Sequence, residues 1–176
     1  MEIRAGSKYD FETIKAFTLV QVYKKKDPRK SFVLHSVIWA ILTAVLVLEL
    51  VFIYRDGIMF ILLGLGVILF AVRCFTYFKI PQKQYKAMGS QQNLENEFIF
   101  CDDVIKISSS NDLYSSTEEI SYSAFFKVME TSKYMFIFRN QGQGYIVDKS
   151  TVTEIEAKAI REKLSTTVSK YISCKY

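Results

Sequence analysis

From Phe32 to Phe78 the chain is apolar at almost every position, and the one polar break is Arg55-Asp56-Gly57. The runs on either side, Phe32 to Tyr54 and Ile58 to Phe78, are 23 and 21 residues long. A helix rises ~1.5 Å per residue, so either run is long enough to cross a hydrocarbon core of ~30 Å. A three-residue break permits only a tight reversal, and the pattern therefore predicts an antiparallel transmembrane hairpin over residues 32–78. The competing reading is a buried helical pair in a soluble bundle, but soluble helices seldom stay apolar on every side for so long.

Ahead of the hairpin, residues 1–8 are polar and predict a loose end. Asp10 can cap a helix in which Phe11, Ile14 and Phe17 share a face that Leu19, Val20, Val22 and Tyr23 widen. A basic cluster follows at once: Lys24, Lys25, Lys26, Arg29 and Lys30, with Pro28 breaking the segment before the first span. Residues 1–31 thus read as an amphipathic juxtamembrane segment. The pattern fits two placements, a helix lying in the headgroup plane with its basic cluster on anionic lipid, or a helix packed on the soluble domain.

Behind the hairpin, Pro81 is expected to close the second span, and residues 79–94 read as a Gln-, Lys- and Asn-rich connector. The period then changes to two. Phe98 and Phe100, then Val104, Ile105 and Ile107, flank the turn Cys101-Asp102-Asp103. Ser108 to Asp112 reads as a loop. Further strands are expected at Ile120–Ser123, Phe125–Glu130, Tyr134–Arg139 and Gly144–Val147, with Gly142 supplying positive φ in the turn Asn140–Gln143. Thr151 or Thr153 then caps a helix whose apolar positions are Ile155, Ala159, Ile160, Leu164, Val168 and Ile172. Residues 95–176 are therefore expected to form an antiparallel meander closed by one C-terminal amphipathic helix, and the whole chain reads as an α+β membrane protein.

Charge decides orientation. Residues 1–94 carry 13 Lys and Arg against 6 Asp and Glu, whereas residues 95–176 carry 10 against 12. The mildly acidic C-terminal half argues against nucleic acid as a partner, and the basic half suits anionic headgroups. Five basic residues precede the first span, and Lys79, Lys83 and Lys86 follow the second; only Arg55 lies in the turn. Under the positive-inside rule both termini are cytoplasmic. Three ionisable residues lie within the spans: His35 and Arg73 near the inner end, Glu49 near the outer. Glu49 and Arg73 are roughly 18 Å apart along the normal and cannot pair within one hairpin. Arg73 is expected to snorkel to the inner headgroups, and Glu49 to reach the outer interface near Arg55 or to face a partner helix.

Candidate chemistry is sparse. Cys74, Cys101 and Cys174 are odd in number and widely spaced, which reads as reduced thiols and not as a disulfide framework or metal site. The polar start of the chain shows no signal-peptide pattern. The single histidine falls in a span, so no Ser-His-Asp or Cys-His pair can be built in the soluble domain. No phosphate-binding glycine motif occurs, and Asp102-Asp103 reads as a solvated turn. Neither an enzyme nor a cofactor is expected.

The stretches Phe98–Ile107, Ile120–Ser123, Lys127–Thr131 and Tyr145–Lys149 together resemble the YcxB-like C-terminal domain. Bacterial proteins of that family also carry two spans ahead of the domain. The resemblance implies a pleckstrin-homology-like fold, a bent barrel-like sheet plugged by a C-terminal helix, and brings no established activity. The strands read above fall one short of such folds, and Tyr114–Glu118 is where another could lie. Phosphoinositide-binding relatives of the wider fold place basic residues on the first hairpin, where Asp102 and Asp103 stand here. The expectation is thus a bacterial inner-membrane anchor presenting a cytoplasmic module that recognises protein or peptide and that could self-associate. The alternative is an accessory or immunity subunit of a transporter, with Glu49, Gly64 and Gly66 at helix contacts.

Overall fold

The computed structural model describes residues 2–24, 26–52, 57–174 and 176. The chain begins with a strand, β1 (Ile3–Lys8), and a helix, α1 (Phe11–Tyr23). Two long apolar helices follow, α2 (Pro28–Phe52) and α3 (Gly57–Cys74). A π turn (Phe75–Lys79) joins α3 directly to α4 (Ile80–Ala87). The remainder is β2 (Glu95–Phe100), β3 (Val104–Asn111), β4 (Tyr114–Ser121), β5 (Lys127–Glu130), β6 (Tyr134–Phe138), β7 (Gly144–Asp148), α5 (Glu154–Thr167) and β8 (Tyr171–Ser173). Arg55, Asp56 and Lys25 lie outside the described residues.

All eight strands form one sheet in the order β4-β3-β2-β1-β7-β6-β5-β8. The N-terminal strand sits in its middle, which corrects the expectation of a loose end. Ile3 pairs with Phe100 and Lys8 with Glu95, while Gly6 reaches Asp148 of β7. Ile3, Ala5 and Ser7 point inward in alternation. Arg4, Gly6 and Lys8 dilute that signal, because β1 contributes only two apolar side chains to the core.

Three further expectations change. Ser108–Asn111 is strand, not loop: the serines of β3 pair with Glu97 to Glu95 on one side and with Thr117 to Ser115 on the other. The missing strand is β4, at Tyr114–Ser121, so the stretch expected at Ile120–Ser123 supplies only the end of β4. The barrel is not closed. The sheet is open, with β4 and β8 at its ends. β8 pairs parallel to β5 through Ile172, which therefore lies beyond α5 and not on it.

The continuous burial of Tyr134–Phe138 shows why β6 has no polar alternation: both faces of the sheet are covered there. On one face Met135 and Ile137 join Ile160 and Leu164 of α5. On the other, Tyr134, Phe136 and Phe138 join Ile14 and Val20 of α1. Phe17 stacks on Phe138 at 5.2 Å and tilts on Phe136 at 5.9 Å. Of the two placements open for the first helix, the structure has the one packed on the sheet.

Thr153 caps α5 in a reciprocal capping box with Glu156. Ala157, Ile160 and Leu164 face the core, whereas Ile155 is 82% exposed and takes no part. In the β6–β7 turn Gly142 does not have positive φ; the Asn140 side chain accepts from the Gly142 and Gln143 amides at 2.9 Å and closes the turn instead. The glycine that matters is Gly144, where a Cβ would stand 2.6 Å from the Ile137 carbonyl oxygen.

Neither proline acts as expected. Pro28 is the first residue of α2, where its missing N–H costs nothing. Pro81 lies inside a continuous helix from Gly57 to Ala87, just after the π turn. That wider turn accommodates a residue that has no N–H and whose ring crowds the preceding turn. The helix consequently runs past the expected boundary of the connector and docks α4 on α1. Phe11 meets Tyr85 edge-on at 5.9 Å, and Thr18 donates to Gln84.

Candidate functional site

The first candidate lies where α1 ends and the two long helices begin. Asp27 caps α2 by accepting from the Arg29 and Lys30 amides at 2.9 and 3.2 Å. α3 returns antiparallel beside it, with the Phe32 and Tyr77 rings stacked at 4.5 Å and Trp39 seated against Gly66. Between them opens a cleft of about 690 Å³ lined by Tyr23, Lys26, Ser31, His35, Trp39 and Arg73, among others. Arg73 donates to Ser31 Oγ at 3.3 Å and lies 5.9 Å from the Tyr23 ring. His35 Nδ1 is 2.6 Å from the Ser31 carbonyl oxygen, which can only accept, so Nδ1 carries a proton.

The cleft gathers His35, Arg73 and Lys26 from the residues singled out in the sequence. Glu49 is not among its lining residues and lies half-exposed farther along α2. Lys24, Arg29 and Lys30 are exposed, and the Lys24 carbonyl accepts from the Tyr176 hydroxyl at 3.0 Å. Sequence reasoning missed Ser31, Tyr23 and Trp39, which come to line one cleft with Arg73 only once α3 folds back.

The second candidate is a buried charge cluster around Glu130, whose side chain is 4% exposed. Lys149 Nζ donates to it at 2.7 Å, and Arg161 donates through Nε and Nη2 at 2.7 and 2.6 Å. Tyr171 Oη donates to the same carboxylate. Burial alone would raise the Glu130 pKa; the hydrogen bonds from Arg161, Lys149 and Tyr171 outweigh it and hold it at about 2. Burial and the facing carboxylate push the Tyr171 hydroxyl up. An acid at the end of the fully buried stretch Val128-Met129-Glu130 was the available sequence signal. The cluster joins β5, the turn after β7, α5 and β8, with every charge paired, and it reads as a structural clamp.

Among the described residues Cys74, Cys101 and Cys174 form no disulfide. No group of three or more His, Cys, Asp and Glu among the described residues could hold a metal ion.

Residues 112–164 match the family model described as YcxB-like protein. That stretch is YcxB-like. It runs from the β3–β4 turn through most of α5, agrees with the resemblance drawn from residues 98–150, and contains Glu130, Lys149 and Arg161 of the buried clamp. The cleft between the long helices lies outside the YcxB-like stretch. No curated protein and no solved structure matches the chain.

Proposed function

We propose that the chain is a bacterial membrane protein in which α2 and α3 span the bilayer, both termini are cytoplasmic, and the sheet is presented as a pleckstrin-like module that recognises protein or peptide. The observation that carries the anchor is exposure. Only 6% of the apolar window in each long helix is buried, so the body of the protein leaves these side chains to another apolar phase. β1 pairs with β2 and β7 across the hairpin, which supports one compartment for both ends of the spans. The eight basic residues flanking them, against Arg55 in the turn, favour the cytoplasm.

The open β4 edge supports a recognition module. Its eight residues are almost all exposed and offer unpaired backbone groups to an added strand. The reading includes no catalytic step. A transporter-subunit role is the second reading, favoured by Glu49 within a span and by Gly64, which has open space around it.

Cysteine labelling in intact cells tests the anchor. A Cys at Asp56 is expected to react with an impermeant reagent, and one at the exposed Lys158 only after lysis; the reverse pattern would overturn the orientation. A photo-crosslinker at Ser116 on β4 tests the module. Capture of a soluble signalling protein supports it, and a stoichiometric transporter supports the second reading.

A further inference from the structure

The cleft at the inner end of the hairpin holds cations without an anion. Its lining includes Lys26, Arg73 and the ionisable His35, but no Asp or Glu. Arg73 forms no ion pair among the described residues. Its Nη2 donates to the Ser31 hydroxyl and the Tyr23 hydroxyl lies close to the guanidinium, but its Nε is buried with no hydrogen-bond partner among the described residues. A guanidinium placed in this way leaves a strong donor unsatisfied in a partly desolvated site. Phosphate and carboxylate groups match its planar fork, and phosphate oxygens accept from a nearby ammonium and hydroxyl as well.

Polarity within the cleft is graded. Lys26 precedes α2, Ser31 lies in its first turn and His35 in its second, and Trp39 follows one turn further on. Opposite them on α3, Arg73 is followed at one-turn intervals toward the helix middle by Leu69. A charged mouth therefore passes into an apolar wall along the helix axes. Free phosphate would use the mouth alone. A phospholipid would use both, with its phosphate on Arg73 and Lys26 and one acyl chain along Trp39, Leu69 and Val72.

We propose that this cleft is a binding site for the phosphodiester headgroup of an anionic phospholipid, with Arg73 as its central ligand and Trp39 bordering the first acyl chain. The site rests on the two-span reading, because it needs the mouth at headgroup depth. It goes beyond a diffuse attraction of the basic cluster: it takes one lipid, in one place, through residues of α2 and α3.

Trp39 is the only tryptophan, so its fluorescence reports on the cleft. The full chain in a neutral detergent is titrated with phosphatidylglycerol or phosphatidylcholine carrying the same brominated acyl chains. Quenching by the anionic lipid is expected at about a tenfold lower mole fraction than by the zwitterionic one. Arg73→Gln should abolish that preference, and Arg73→Lys should restore part of it. Lys26→Gln, outside any helix, should weaken the preference in a chain whose fold is untouched. Inorganic phosphate, which can use only the mouth, should leave the quenching unchanged at the lipid's own concentration. Equal quenching by both lipids, or a preference that survives Arg73→Gln, overturns the site. Relief of quenching by inorganic phosphate at the lipid's own concentration also overturns it, in favour of a free-anion site. Flotation with vesicles separates the two levels: a chain that floats but shows no lipid preference in Trp39 quenching refutes this site alone, and one that does not float refutes the two-span reading with it.

Discussion

Glu130→Gln removes the charge at the centre of the buried clamp and keeps its shape. The carboxyl is held at about 2 against a usual value of 4.5, and that gap corresponds to about 3 kcal/mol of folding stability. A second route gives a similar figure. Removing one partner of a buried ion pair costs roughly 3–5 kcal/mol, and Arg161, whose side chain is 45% exposed, can recover water and so favours the lower end. The direction with pH follows from the depressed value. The stabilisation is fully present above about pH 4.5 and is lost as pH falls through about 2. Denaturant unfolding of the full chain in detergent, followed by the far-UV signal of the sheet, should therefore show a variant about 3 kcal/mol less stable at neutral pH. The difference should shrink steadily below about pH 4.5. A loss under about 1 kcal/mol, or one that does not change with pH, would refute the reasoning.

Other outcomes are as specific. A fragment of residues 92–176 lacks β1 and α1, leaving a gap in the sheet and uncovering Phe136 and Phe138; it should aggregate in sedimentation runs, whereas the meander alone would predict a stable monomer. Gly144→Ala brings a Cβ against backbone atoms of Ile137 and Phe138 and should lower stability by about 2 kcal/mol in thermal melts. Gly6→Ala serves as its control, because its nearest neighbours are 3.7 Å away. Leu164→Asp puts a charge at a fully buried position of α5 and should abolish cooperative unfolding; a cooperative transition would mean that α5 does not plug the sheet.

The two long helices, the β2–β3 hairpin, β5–β7 and the helix after Thr153 were legible because each carries a strong period or an unbroken apolar run. β1 and the serine half of β3 were not. Ile-Arg-Ala-Gly-Ser-Lys and Ser-Ser-Ser-Asn have little apolar content, and their strand state comes from partners on both sides, one of them distant in sequence. Reading α1 from its own pattern left two placements open because the surface it covers belongs to β6. The unbroken run of Tyr134–Phe138 held that information, since a strand without polar alternation must be covered twice. Pro81 misled because the π turn before it absorbs the break. The charged cleft was legible only as separate residues: Lys26, His35 and Arg73 are brought together by the return of α3.

The central place of β1 also sets an order of assembly. Its neighbours are Phe100 to Glu95 on one side and Asp148 on the other, so the first strand to leave the ribosome must wait for the last third of the chain. Both hydrophobic helices are synthesised during that wait. On the proposed two-span reading, integration of the hairpin would precede completion of the sheet, and a chain with only one helix inserted would hold β1 and β2 in different compartments. On that reading the sheet would act as a checkpoint on the hairpin's insertion. Protease protection of stalled chains would show this as an N-terminal segment that stays cleavable until β7 has emerged.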